Sequence, residues 1–274
     1  MNQCRSYHDL MATAFFLRAL LAAICFFTFS GYLPAQSAHS AQLAPRQMPL
    51  VSTISQVKPS IVAIGTYQKT RNPQYIFKGT GFAVGNGQQV ITNDHVVPLK
   101  LDLENRETLA VFSGEGQKFR VIPAELIKRD KLHDLALLEI GHKLKPLSLA
   151  DKTTLPAGSD IAITGFPIGM VLGLYPVTHK GIIAANVPLL IPPASQKKLT
   201  AELIRALRNP FKVYQLDIVA YPGNSGSPLY TIDNGKVVGV LNSVFVKGKK
   251  ETALSDPTGI SYAIPVKFVH QLLD

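Results

Sequence analysis

Between Ile54 and Ile264 the apolar residues of this chain fall into short bursts closed by Gly, Pro, Asn or Asp, and that punctuation constrains the fold more than any other feature. Ile61-Val62-Ala63-Ile64, Gly81-Phe82-Ala83-Val84, Val90-Ile91-Thr92 and Leu109-Ala110-Val111-Phe112 are the first four. Such segments are too short for helices and are bounded as β-strands are. The same reading predicts strands at 120–126, 134–140, 160–166, 176–184, 213–218, 228–231, 236–246 and 259–264. Strands in succession, with no helix between most of them, predict an all-β barrel or sandwich architecture and not alternating βα units.

Two stretches depart from this pattern. The tail Pro265–Leu273 reads as a terminal helix with Pro at its first position and Val266, Val269, Leu272 and Leu273 on one face. Thr200–Asn209 reads as a second helix, with Thr200 as N-cap and Asn209-Pro210 as its stop. Together with the Pro-rich lead-in Val187–Ala194 it forms an inserted excursion, 186–212, between two strands. With its apolar stripe of Leu203, Ile204 and Leu207 the insert has two readings: a surface insertion that only packs on the rest of the fold, or a lid over a cleft or a contact for self-association as a homo-oligomer.

The first residues have a different character. Arg5 and Arg18 precede an uncharged run, Ala19–Leu33, followed by Pro34 and the small residues of Ala35-Gln36-Ser37. A basic region, an apolar region and a small-residue cleavage site describe an export signal, so 1–37 is predicted as a signal peptide and 38–53 as a linker. The alternatives are an uncleaved membrane anchor over Met11–Leu33 and a lipoprotein with Cys25 as acceptor. Ile24 and Phe26-Phe27 around Cys25 disfavour the lipoprotein. An exported protein, periplasmic or secreted, is the expectation, with 54–274 as its folded domain.

Composition narrows the chemistry. The 274 residues are 46% hydrophobic and 17% charged, enough apolar material for one large or two small cores. The net charge of +10 is spread thinly, without the blocks that mark nucleic-acid arms, so no nucleic-acid partner is expected. The two cysteines, Cys4 and Cys25, lie in the first tenth of the chain. Zinc-ribbon, thioredoxin-like and cysteine-peptidase readings therefore lack their residues. No His pair at helical ligand spacing and no phosphate loop occurs, so neither a metal nor a cofactor is expected.

Three segments carry reactive residue types. In Pro222-Gly223-Asn224-Ser225-Gly226-Ser227-Pro228 a serine is flanked by glycines, which let consecutive N–H groups face one point beside the hydroxyl. An ordinary turn has the same composition. A serine nucleophile needs a histidine base, and that base needs a carboxylate to orient it. His95 follows the strand Val90-Ile91-Thr92, where a packed core histidine is the plainer alternative. His142 and His179 lie in Lys-containing segments read as loops. Asp134 opens the apolar strand Leu135–Ile140, where a surface turn beside Arg129 and Lys131 is the alternative.

Taken together, Thr92-Asn93-Asp94-His95-Val96-Val97, His133-Asp134-Leu135-Ala136-Leu137-Leu138 and Gly223-Asn224-Ser225-Gly226-Ser227-Pro228-Leu229 resemble the His, Asp and Ser motifs of the trypsin-like serine peptidases, in family order. Gly165-Phe166-Pro167-Ile168-Gly169, Val177–Ile183 and Gly259–Pro265 resemble the HtrA/Deg-like branch, here without a PDZ domain. The resemblance implies two six-stranded antiparallel β-barrels, about 54–150 and about 155–264, with a C-terminal helix.

It also implies a serine endopeptidase that cleaves protein or peptide substrates. His95, Asp134 and Ser225 would be catalytic, the N–H groups of Gly223 and Ser225 would form the oxyanion hole, and Val219, Asn242 and Ser243 would bind substrate. Protein quality control or processing outside the cytoplasm is the implied role. Ser227 departs from the family, which usually has glycine there. An α/β-hydrolase order through Ser225, Asp233 or Asp256 and His270 fails because Ser227 breaks the G-x-S-x-G pattern. A non-catalytic peptide-binding or chaperone-like protein on the same fold is the alternative function.

Overall fold

The structure, a computed structural model, describes residues 49–151, 153–167, 173–189, 210–242 and 260–274. The first six strands are β1 (Ile61–Tyr67), β2 (Tyr75–Val84), β3 (Gln89–Thr92), β4 (Thr108–Glu115), β5 (Lys118–Asp130) and β6 (Leu135–Ile140). They close into a barrel in the order β1-β2-β3-β6-β5-β4. The next six are β7 (Asp160–Gly165), β8 (Val177–Pro188), β9 (Lys212–Asp217), β10 (Pro228–Thr231), β11 (Val237–Asn242) and β12 (Ile260–Pro265). They close in the order β7-β8-β9-β12-β11-β10, which repeats the first winding strand for strand. All the pairings are antiparallel. Two closed barrels leave no sheet edge to be covered.

Each strand predicted from an apolar burst is present, and the packing explains why the bursts are continuous. On β1, Val62 and Ile64 join one buried cluster while Ile61 and Ala63 join another. On β6, Ala136 and Leu138 likewise separate from Leu135 and Leu137. One cluster belongs to the first barrel, one to the second (Ile161, Ile163, Ile183, Leu216, Leu241), and the third runs through both barrels and the flanking helices. Strands apolar on both faces lose the alternation of a half-exposed sheet.

Helix α1 (Pro49–Val57) precedes β1, and helix α2 (Val266–Leu273) follows β12. α1 straddles the boundary expected between linker and domain. Tertiary contacts account for it: Thr53 Oγ1 donates to Ile232 O at 2.9 Å, and Val57 is buried in the shared cluster. Pro265 is the N-cap of α2 and the last residue of β12, so the helix begins one residue later than expected. The His270 ring donates from Nε2 to Ala150 O at 2.9 Å, tying α2 to the segment between the barrels. That segment runs beside β11, with Ala150 N donating to Val237 O and Val237 N to Ser148 O.

His179, in a Lys-containing segment, sits on β8 opposite Ile163, within the strand expected over 176–184 and not in a loop. Burial holds its imidazole below the usual histidine range. The signal peptide 1–37, the predicted helix at 200–209 and Ser243 lie outside the described residues. No helix among the described residues is long and apolar enough to cross a membrane.

Candidate active site

β3 ends at Thr92, and a single 3-10 turn, Asp94–Val96, carries His95. Arg129 on β5 fastens this turn. Its Nη1 pairs with Asp94 Oδ1 at 2.5 Å, and its Nη2 donates to Pro98 O at 3.0 Å. β3 pairs with β6 through Thr92 and Ala136, so the residue before β6, Asp134, comes beside the turn. Asp134 has φ +53°, a left-handed conformation that Asp tolerates better than most side chains. Its carbonyl accepts from Asn93 Nδ2 at 2.9 Å and from Asp94 N at 3.2 Å.

The carboxylate of Asp134 faces His95 with both oxygens. Oδ2 lies 2.6 Å from His95 Nδ1, and Oδ1 accepts the His95 backbone N–H at 2.9 Å. Asn242, at the end of β11, donates from Nδ2 to Oδ2 at 2.6 Å. An ionised carboxylate only accepts, so the proton between it and the ring belongs to Nδ1 and the lone pair is on Nε2. Nε2 of His95 is thus left able to accept a proton, and the side chain is 30% exposed.

Ser225 lies in the connection from β9 to β10 and is 6% exposed. Two tight turns shape that connection. Asn224 N donates to Tyr221 O at 3.0 Å, with Pro222 and Gly223 (φ +99°) between them. Pro followed by a positive-φ Gly is the signature of a type II turn. Ser227 N then donates to Asn224 O at 3.0 Å around Gly226 (φ +88°). Amide N–H and C=O groups point in opposite directions, so holding Asn224 O by Ser227 turns the Ser225 N–H the other way.

Close packing brings this serine turn to the histidine turn. A Cβ on Gly79 of β2 would meet Val96 Cγ2 at 2.6 Å and Ser225 O at 2.8 Å, so only glycine lets the two turns approach across β2. Gly226 N donates to Leu241 O at 3.0 Å, next to Asn242. The structure therefore draws the His95, Asp134 and Ser225 segments together around Gly79, Thr80 and Asn242. Residues 79–240 match the family model for the trypsin-like peptidase domain.

The chain belongs to the trypsin-like peptidase family.

Among proteins similar to this trypsin-like peptidase, the "Probable periplasmic serine endoprotease DegP-like" of Chlamydia pneumoniae is 33% identical over 198 residues, which cover 72% of this chain and 34% of that one. The serine protease Do-like HtrA of Bacillus subtilis is 30% identical over 190 residues, 68% of this chain and 36% of that one. The chain spans about one third of the length of the curated relatives it matches. The active form of the Rv3671c protease of M. tuberculosis superposes with a TM-score of 0.58 at 22% identity, covering 81% of this chain and 82% of that one. The HtrA-type protease AlgW with tripeptide gives 0.58 at 22% identity, covering 82% and 62%. At that identity the likeness is one of fold.

In this peptidase domain, the residues singled out from sequence fall in two groups. His95, Asp134, Gly223, Ser225 and Asn242 converge as described. Val219 lies between β9 and the first turn, after Ile218, whose carbonyl accepts from Ser261 Oγ at 2.9 Å. Asn242, expected to bind substrate, directs its amide Nδ2 to Asp134. Sequence reasoning did not find Thr80, Asn93 or Arg129. A signal existed for Thr80, because Gly79-Thr80-Gly81 interrupts an apolar strand, and a glycine inside a strand often marks a close backbone approach. Among the described residues no group of three or more His, Cys, Asp or Glu side chains is placed to hold a metal ion.

Proposed function

We propose that this domain is a serine endopeptidase, using His95, Asp134 and Ser225, that acts in protein quality control or processing outside the cytoplasm. The observation that carries the reading is the Asp134 carboxylate fastened to His95 Nδ1 at 2.6 Å and to Asn242 Nδ2 at 2.6 Å, within a segment cluster that also contains Ser225. In the reaction, Ser225 Oγ attacks the peptide carbonyl as its proton passes to His95 Nε2. Asp134 stabilises the imidazolium that forms. The oxygen that gains charge is held by the N–H groups of Gly223 and Ser225. The C–N bond then breaks as His95 returns the proton to the leaving amine, which leaves an acyl-enzyme. Water, deprotonated by His95, releases the acid and restores the serine.

A non-catalytic peptide-binding protein has no need of an oriented base beside a serine turn. Export is supported by the signal-like 1–37 and by the relatives named as periplasmic endoproteases. The test is labelling of the purified protein with a fluorophosphonate, with the modified residue mapped by peptide mass. Modification at Ser225, and loss of casein hydrolysis in Ser225→Ala, is the expected result. Labelling elsewhere, or casein hydrolysis unchanged in that variant, overturns it.

A further inference from the structure

Thr80 belongs to β2 of the first barrel and is fully buried, yet its N–H and its hydroxyl both serve the second barrel. Its backbone N donates to Ser225 O at 2.8 Å. Its Oγ1 lies 2.7 Å from Gly223 O and accepts the Phe166 N–H at 3.0 Å. An amide N–H can only donate, and a carbonyl can only accept, so the one hydroxyl proton of Thr80 is directed to Gly223 O. Its own carbonyl accepts from Thr92 Oγ1 at 2.6 Å, which fastens Thr80 to the strand leading to His95.

The consequence lies in the turn. The amide joining Gly223 and Asn224 is gripped at both ends, its C=O by Thr80 Oγ1 and its N–H by Tyr221 O. With that plane held and Gly223 at φ +99°, the preceding amide, which carries the Gly223 N–H, takes the type II orientation. A type I turn would flip that amide and turn its N–H away. Thr80 fits where it does because glycines surround it. A Cβ on Gly226 would meet Thr80 O at 2.1 Å, and one on Gly165 would meet Thr80 Oγ1 at 2.9 Å.

We propose that the Thr80 hydroxyl is a positioning residue for the oxyanion-binding N–H of Gly223, so that the first barrel, which carries the base, also holds the anion site of the second. The inference rests on the serine-peptidase reading for its catalytic meaning. Its structural content, that one hydroxyl sets the orientation of the Pro222–Gly223 amide, stands apart from that reading. Loss of the hydroxyl leaves the part-buried Gly223 O and the buried Phe166 N–H without their shared partner, and the flipped turn then competes.

The experiment compares Thr80→Val, which keeps the β-branch and the backbone N–H, with Thr80→Ser, which keeps the hydroxyl. Thr80→Val is expected to lower kcat by about tenfold to a hundredfold, less than deletion of a whole oxyanion donor. Affinity for a peptide aldehyde, whose adduct places an oxyanion in the site, should fall in parallel. Binding of an uncleaved peptide, measured in the Ser225→Ala background, should not change, and Thr80→Ser should restore the wild-type values.

A Thr80→Val protein that melts earlier but keeps kcat and aldehyde affinity overturns the proposal and reduces Thr80 to packing. Crystal structures of both variants decide the structural content by themselves: an unchanged Tyr221–Asn224 turn in Thr80→Val sinks it. Failure of the wild type to hydrolyse peptides or take the fluorophosphonate instead strikes the serine-peptidase reading, and the turn in the variant crystals still decides the hold exerted by Thr80.

Discussion

Asn242 of the second barrel donates from Nδ2 to Oδ2 of Asp134 in the first, at 2.6 Å, so the carboxylate that orients His95 is itself oriented from across the barrel interface. The other two donors to that carboxylate, the ring and the backbone N–H of His95, come from its own barrel. A hydrogen bond to a charged acceptor contributes about 1.5–3 kcal/mol. Asn242→Ala is therefore expected to reduce kcat about tenfold or more and to lower the melting temperature by several degrees. Asn242→Asp should be worse, since a second carboxylate would face the first. A steady-state assay with a short chromogenic peptide checks both, and wild-type kcat in Asn242→Ala would show the contact to be idle.

The three proposed catalytic residues act as a unit, so Ser225→Ala and His95→Ala should each remove nearly all hydrolysis, and the double variant should lose little more. Asp134→Asn should cost several decades, because an amide N–H can donate to the bare Nδ1 of the wrong imidazole tautomer. Circular dichroism should show all of these proteins folded. Additive losses in the double variant would contradict a shared mechanism.

Val219 stands six positions before Ser225, where the family resemblance puts the floor of the primary specificity pocket. An apolar floor leaves a buried Lys or Arg head without a partner. Cleavage after small or medium apolar side chains is expected in a peptide-library profile. A profile dominated by Lys or Arg at that position would refute the assignment of Val219.

Gly165 faces Ser227, the residue that departs from the family pattern. A Cβ on Gly165 would lie 2.0 Å from Ser227 Oγ, a buried hydroxyl with no hydrogen-bond partner. Gly165→Ala should destabilise the domain by about 1–3 kcal/mol through overpacking. Adding Ser227→Gly should recover part of that loss, giving a coupling energy of about 0.5 kcal/mol or more in a denaturant double-mutant cycle. Strict additivity would show that the two positions do not meet.

Glu107 connects the segment after the His95 turn to the β1–β2 connection. The Thr66 hydroxyl, the Asp102 N–H and Arg71 together hold its carboxyl at about 2, against the burial that would raise it. Arg71 Nη1 lies 2.6 Å from Glu107 Oε1, and Asp102 N donates to Oε2 at 3.0 Å. A carboxyl depressed in the folded state favours folding at pH values above its unfolded value of 4.5, and that contribution disappears as pH falls toward about 2. Glu107→Gln should accordingly lower the melting temperature at neutral pH and narrow its gap to wild type below about pH 4. A gap independent of pH would mean that charge at Glu107 plays no part.

The strand positions followed from the sequence because both faces of β1, β6 and β7 are buried, which writes each strand as an unbroken apolar burst between turn residues. His95, Asp134 and Ser225, the residues proposed as catalytic, could be singled out only together, because their three short motifs resemble those of the family while each residue alone has a plainer reading. α1 was not legible, because its stability comes from docking Thr53 and Val57 against the chain near Ile232 and Gly235, far away in sequence. The tertiary structure alone decided which side chains serve those three. Asn242 turns to Asp134, Arg129 to Asp94 and Thr80 to Gly223 through contacts between residues 35 to 143 positions apart. Local propensity and periodicity carry no information about such pairs, since a donor and an acceptor become partners only when closure of the two barrels brings their strands together.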